Sequence, residues 1–114
     1  MKSFFIGNLE VKIPIIQGGM GVGVSLSGLA AAVANEGGIG VISCAGMGLV
    51  YHNSPGDYLN KCITGLKEEI RKAKEKSKGI IGVNIMVALN SYVEMAKTSI
   101  AEKVDVVFAG AGLH

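Results

Sequence analysis

The stretch Pro14-Ile15-Ile16-Gln17-Gly18-Gly19-Met20-Gly21-Val22-Gly23 sets an uncharged apolar run directly against a glycine-dense turn. Leu26, Leu29, Ala30 and Val33 then recur at i, i+3, i+4 and i+7, the spacing of one helix face, and Gly37-Gly38 supplies a stop. The order is therefore strand, turn, helix. Glycine reaches backbone conformations closed to other residues and lets a backbone approach a ligand closely. Such a turn at the end of a buried strand can be a floor for a flat or anionic group, or a device for tight strand–helix packing. The turn itself leaves both readings open.

The same alternation continues downstream. Residues 13–17, 40–44, 80–87 and 104–108 are short apolar runs rich in β-branched side chains, the pattern of strands buried on both faces. Ser54-Pro55-Gly56-Asp57 predicts a second helix, with Ser54 as N-cap, Pro55 in its first turn and a stripe of Leu59, Ile63, Leu66, Ile70 and Ala73. Ser91-Tyr92-Val93-Glu94 predicts a capping box for a third helix carrying Met95, Ala96 and Ile100. Residues 3–12 are expected to form a hairpin turning at Gly7-Asn8 that closes the bottom of a barrel.

The order β-α-β-α-β-α-β specifies an α/β fold with parallel strands. A (β/α)8 TIM barrel takes roughly 250 residues for eight units. Four strands and three helices are about half of one. Residues 1–114 are accordingly expected to be the N-terminal half of a single barrel domain, a fragment whose last strand lacks its covering helix. Open sheet edges invite pairing with other chains, so a homo-oligomer is expected.

Composition agrees with buried parallel strands and excludes several functions. Hydrophobic residues make up 49% of the chain and charged residues 18%, too apolar for disorder. Seven of the 11 basic residues lie between positions 61 and 78, interleaved with Glu68, Glu69 and Glu75, as on a solvated helix face rather than a nucleic-acid patch. Cys44 and Cys62 lack the neighbours of a metal or redox motif and read as core thiols, a disulfide between them being possible on count alone. The uncharged stretch 13–35 contains Pro14 and a cluster of glycines, which makes it a poor membrane span, and the N-terminus is too short in apolar residues for a signal peptide. A soluble, cytoplasmic protein is expected.

The common glycine fingerprints fail. After Gly19-x-Gly21 the sixth place holds Val24, and after Gly21-x-Gly23 it holds Leu26, so no dinucleotide motif is present, and no Gly-Lys-Ser/Thr follows for a P-loop. The run from Pro14 to Met20 instead resembles the first strand and flavin-facing turn of the nitronate monooxygenase family, once called 2-nitropropane dioxygenases, and of the related flavin-dependent enoyl-acyl-carrier-protein reductases. The small-residue helix and following strand from Ala30 to Ser43, Gly82-Val83-Asn84-Ile85-Met86 in the third strand and Gly110-Ala111-Gly112 after the fourth continue the resemblance in order along nearly the whole chain.

The resemblance implies an FMN-binding TIM barrel acting on a small-molecule substrate. Gly18, Gly19 and Met20 would lie against the flavin ring, and Asn84 would hydrogen-bond the cofactor. Each has a physical case. Gly19 leaves room for a ring face, Met20 offers a polarizable side chain, and Asn84 interrupts an aliphatic strand with a carboxamide that needs partners when buried. Intact relatives oxidise alkyl nitronates with O2 to a carbonyl compound and nitrite; the alternative chemistry is FMN- and NAD(P)H-dependent enoyl-thioester reduction. A third reading is a catalytically silent, self-associating half-barrel.

Gln17 divides evenly between site and structure, as do Gly110 and Gly112 between ligand access and loop shaping. Ser43 and Cys44 end the second strand, where they would line the pocket at most. Ser25 or Ser27 reads as a helix N-cap. His52, in the loop after the second strand, could overhang the site, and His114 is terminal. Neither matches the family's catalytic histidine, which belongs to a later segment, as does the FMN phosphate grip.

Overall fold

The computed structural model describes residues 3–13, 15–18, 23–87 and 91–110. The chain opens with an antiparallel hairpin of β1 (Phe4–Ile6) and β2 (Leu9–Val11), turning at Gly7, whose φ of +57° is a left-handed conformation suited to glycine. It continues through helix α1 (Ser27–Asn35), strand β3 (Ile39–Ser43), the short helix α2 (Met47–Val50), the long helix α3 (Tyr58–Lys76), strand β4 (Ile80–Met86), helix α4 (Tyr92–Ala101) and strand β5 (Val106–Gly110).

Strands β3, β4 and β5 form a parallel sheet in sequence order. The 15–17 segment adds itself on the far side of β3. Ile39 N–H donates to Ile15 C=O at 2.9 Å, Gln17 N–H donates to Ile39 C=O at 3.1 Å, and Ile16 bridges Ile39 in parallel. The four expected strands are thus adjacent, parallel and in order, although the first is only a bridge. Each successive parallel pair is connected through a helix, as parallel pairing requires.

Alternation along the strands divides the core. Ile42, Cys44, Ile81, Val83 and Ile85 face the helices and pack with Ala30, Ala34, Met47, Leu66, Ile70, Ala73 and Met95. On the opposite face Ile39 and Val41 pack with Val11, Phe4, Ile6, Ile80, Val106 and Phe108. The hairpin therefore covers the sheet at the N-terminal ends of the strands, as expected. Helices lie on one face and the hairpin on the other.

Helix α1 comes unusually close to the sheet because both surfaces are small. A Cβ on Gly40 would sit 2.6 Å from the Ala30 carbonyl carbon and 2.9 Å from its Cα, closer than real Cβ contacts. Gly79 makes the same accommodation to Ala34, one helical turn further on, with 2.8 Å to its carbonyl carbon. Two glycines facing two alanines fix the depth at which α1 lies.

Five expectations about the helices are corrected. Four helices are present among the described residues rather than three, the addition being α2. The N-cap of α3 is Asp57, whose carboxylate accepts from the Asn60 N–H at 2.9 Å, and not Ser54. Gly56 has a φ of +95°, so the helix cannot start before it. In α3 the buried stripe is Cys62, Gly65, Leu66, Glu69, Ile70 and Ala73, with Leu59 exposed. The Ser91 hydroxyl caps nothing, since Ser91 has a φ of −92° and ψ of 11° rather than extended geometry, and Ile100 faces outward.

Candidate functional site at the C-terminal ends of the strands

The inner face of the sheet changes character from one end to the other. Paired residues share a face, so Ile39 and Ile80 form one row, Val41, Gly82 and Val106 the next, and Ser43, Asn84 and Phe108 the third. The first two rows are aliphatic or bare and meet the hairpin. The third introduces a hydroxyl and a carboxamide at the C-terminal end, where parallel α/β folds place their sites. Asn84 is half-buried, and its carboxamide makes no hydrogen bond to another described residue. Gly110, one step further along β5, has nothing within 4 Å of where a Cβ would be.

The residues on either side of the glycine run are fastened to this sheet. Along the outer edge of β3, the Ile39 N–H is taken by Ile15 C=O, the Val41 N–H donates to Gln17 Oε1 at 3.0 Å, and the Ser43 N–H donates to Ser25 C=O at 2.8 Å. A strand backbone, a side chain and the residue before a helix thus satisfy three successive donors of one edge. Gln17 and Ser25 are both seated on the edge of β3. The Ser25 hydroxyl makes a long 3.5 Å contact to Gly18 C=O.

Gly18 is exposed, and a Cβ there would meet nothing within 4 Å, so room exists above it. Gly19 and Met20 lie outside the described residues. Gln17 splits its carboxamide: the oxygen substitutes for strand backbone, while Nε2 is buried with no hydrogen-bond partner among the described residues. A buried unpaired donor costs free energy and is commonly explained by a missing acceptor.

Other sequence candidates move away. Cys44 turns to the helix side, into the core that also holds Cys62; both thiols are free, and burial, followed by the neighbouring Cys62, pushes the Cys44 thiol up to about 12. It is no nucleophile. His52 is exposed, with Nδ1 3.1 Å from the Leu49 carbonyl and donating to it. Neither Ser25 nor Ser27 is the N-cap of α1; Leu26 occupies that position without a side-chain cap. A groove of about 600 Å³ opens at the opposite end of the sheet, with Lys12, Asn35, Lys76, Lys78 and Asp105 among its lining, remote from the polar row.

The missing cap of α1 comes from another helix. Glu69 of α3, 5% exposed, accepts the Ser27 N–H through Oε1 at 2.8 Å and the Tyr51 hydroxyl through Oε2, with Lys72 Nζ at 3.6 Å. Burial raises its pKa, but the hydrogen bonds from Tyr51 and Ser27 and the Lys72 charge together hold it below the ordinary carboxylate value. Tyr51 is displaced upward, first by burial and then by its bond to Glu69 and the charges of Glu69 and Glu68. The sequence offered one signal for this clasp: a carboxylate within the stripe 62, 65, 66, 69, 70 and 73.

Parallel strands in sequence order and helices on one face define an α/β protein with a parallel sheet. The sequence profile of the nitronate monooxygenase family matches residues 2–111, and the chain belongs to that family. Among solved structures it is similar to FabK from Thermotoga maritima, at 30% identity over 90% of this chain with a TM-score of 0.68, and to a point mutant of the same protein, at 30% identity over 90% with a TM-score of 0.69. The chain spans 28% of the length of the first and 30% of the second. No curated protein sequence matches it. Family and neighbours together support a flavin-type oxidoreductase lineage. Among the described residues no helix is long and apolar enough to cross a membrane.

Proposed function

We propose that residues 1–114 supply the first four strands of an FMN-dependent (β/α)8 barrel that oxidises alkyl nitronates with O2 to a carbonyl compound and nitrite. The observation that carries this reading is the Asn84 carboxamide, placed without a described partner on the polar inner row beside Ser43 and above an aliphatic floor. The residues present fit a flat, acceptor-rich ring. Gly18 leaves open space, Gln17 Nε2 is a buried donor in need of an acceptor, and Asn84 offers both a donor and an acceptor. In this reading Gly18, Gly19 and Met20 lie along the ring, and Asn84 orients it.

When bound, FMN supplies the electron-transfer chemistry. This chain's residues bind the ring edge, orient its face and exclude water through the aliphatic rows below. None of them is assigned as base. His52 is engaged with Leu49 and exposed, which supports leaving the proton-accepting role to residues outside this chain. The two open edges support a barrel completed by further polypeptide. Beside the first strand runs an apolar groove of about 300 Å³ lined by Ile13, Ile15, Ala32 and Val33, and Val107 on β5 is 37% exposed.

A second reading, an FMN- and NAD(P)H-dependent enoyl-acyl-carrier-protein reductase, is favoured by the likeness to FabK. One experiment separates them. In a chain extended to full family length and loaded with FMN, oxygen consumption with an alkyl nitronate is compared with NAD(P)H oxidation in the presence of an enoyl thioester. Nitronate-dependent oxygen uptake is expected. Thioester-dependent NAD(P)H oxidation without it would transfer the assignment to the reductase. The 114 residues alone should hold FMN weakly and turn over neither substrate, and a cytoplasmic location fits such an enzyme.

A further inference from the structure

Glu69 has no part in the proposed chemistry, yet it is a buried carboxylate in a helix whose other glutamates face solvent or the surface. Its Oε1 takes the first N–H of α1, and its Oε2 takes the Tyr51 hydroxyl from the linker between α2 and α3. Two residues before Ser27, the Ser25 carbonyl accepts the Ser43 N–H and seats the chain on the edge of β3. A carboxylate at a helix N-terminus satisfies an orphan donor and interacts favourably with the helix dipole. No capping side chain on α1 itself performs this task.

We propose that Glu69 is a positioning residue: by clasping the Ser27 amide it fixes the start of α1, and through Ser25 it fixes where the chain meets the edge of β3. What the turn binds rests on the function proposed above. The clasp does not, and it is tested without any cofactor. The groups facing the carboxylate are Tyr51 from the linker, Ser27 from α1 and Lys72 from its own helix, with Lys72 Nζ also 3.4 Å from the Tyr51 hydroxyl. Glu68 acts on Tyr51. Lowering the pH neutralises Glu69, so the clasp should loosen on acidification.

Amide hydrogen exchange of the 114-residue chain reads this directly. The Ser27 and Ser43 amides report the clasp and the edge of β3, and the Asp105 amide, bonded to Ile81 C=O at 2.9 Å, reports the sheet elsewhere. In Glu69→Ala, exchange at Ser27 and Ser43 should rise at least tenfold relative to Asp105. In Glu69→Gln, which keeps an acceptor but lacks the charge, as a protonated Glu69 would, protection should be intermediate. After correction for intrinsic rates, the unsubstituted chain should lose Ser27 and Ser43 protection as pH falls below the ordinary carboxylate range, while Glu69→Gln shows no such loss. Equal changes at all three amides, or unchanged protection at Ser27 and Ser43, would overturn the proposal. Should Glu69→Ala fail to fold, identical pH profiles for the unsubstituted chain and Glu69→Gln would overturn it equally.

Discussion

Replacing Gly40 with alanine tests the contact that sets the depth of α1. The added methyl would lie 2.6 Å from the Ala30 carbonyl carbon and 2.9 Å from its Cα, where ordinary contact begins at 3.4 Å. The obstacle is helix backbone, which has no rotamer with which to yield. Helix α1 must withdraw by roughly 1 Å, and that motion also lifts Ala34 from Gly79 and strains the bonds at Ser25 and Ser27. Overpacking a closed contact typically costs about 1–3 kcal/mol, and a backbone obstacle belongs at the upper end. Against this, Gly→Ala narrows the unfolded ensemble and stabilises by about 0.4–1 kcal/mol where the native conformation permits it. The steric effect wins, leaving a net loss of about 2 kcal/mol. Urea unfolding followed by circular dichroism at fixed protein concentration should show a midpoint lower by about 1 M, given slopes of roughly 1–3 kcal/mol/M. Gly110→Ala is the control: nothing lies within 4 Å, and its stability should stay within about 0.5 kcal/mol. A Gly40→Ala midpoint matching that control would refute the close-approach argument.

In a chain extended to full family length, Asn84→Ala should weaken FMN binding by about 1–3 kcal/mol if it leaves a cofactor atom unpaired, measured by flavin fluorescence titration; unchanged affinity would remove Asn84 from the site. The 114-residue chain should self-associate through the edges that expose Ile15, Ile16 and Val107, and a monodisperse monomer at high concentration in sedimentation equilibrium would contradict this. The upward displacement of Tyr51 implies a stabilisation present below the ordinary phenol value of 10.0 and lost as pH rises through the higher folded-state value. Tyr51→Phe should therefore flatten the alkaline limb of a stability–pH profile, and an unaltered limb would dissociate Tyr51 from it.

Local pattern and chain order made the sheet legible. Four apolar runs predicted four adjacent parallel strands, and the hairpin fell at Gly7-Asn8 because left-handed geometry there suits glycine. The helix starts were less legible because capping depends on backbone angles rather than residue type. Ser54 has the chemistry of an N-cap, but the positive φ of Gly56 postpones the helix to Asp57. Ser91-x-x-Glu94 has the letters of a capping box without the extended backbone that would aim the hydroxyl. Helix α2 is four residues long, shorter than any period can reveal. Leu29 and Ile100 read as core by spacing but face outward at 44% and 72% exposure. Outward apolar side chains on helices that cover a sheet are the condition in which further elements could pack.

The site shows the same division between chemistry and geometry. Asn84 could be singled out because a carboxamide inside Gly82-Val83-Asn84-Ile85-Met86 must answer to a partner, and register places it beside Ser43 on the inner face. Gln17 could not be assigned, because its role depends on where strand pairing stops. The backbone ladder ends at Ile39, its carboxamide oxygen continues the ladder to Val41, and its nitrogen has no partner among the described residues. Glu69 was hidden in the opposite way, by a helix so rich in lysine and glutamate that one more acid looks solvated. Its position, three residues past Leu66 and four before Ala73, places it on the buried stripe, where an ionised group persists only if it is fully bonded. Ser27, Tyr51 and Lys72 provide those bonds. Gly18 and Ser25, on either side of the glycine run, thus sit next to bonded residues, Gln17 tied to the sheet and Ser27 clasped by Glu69.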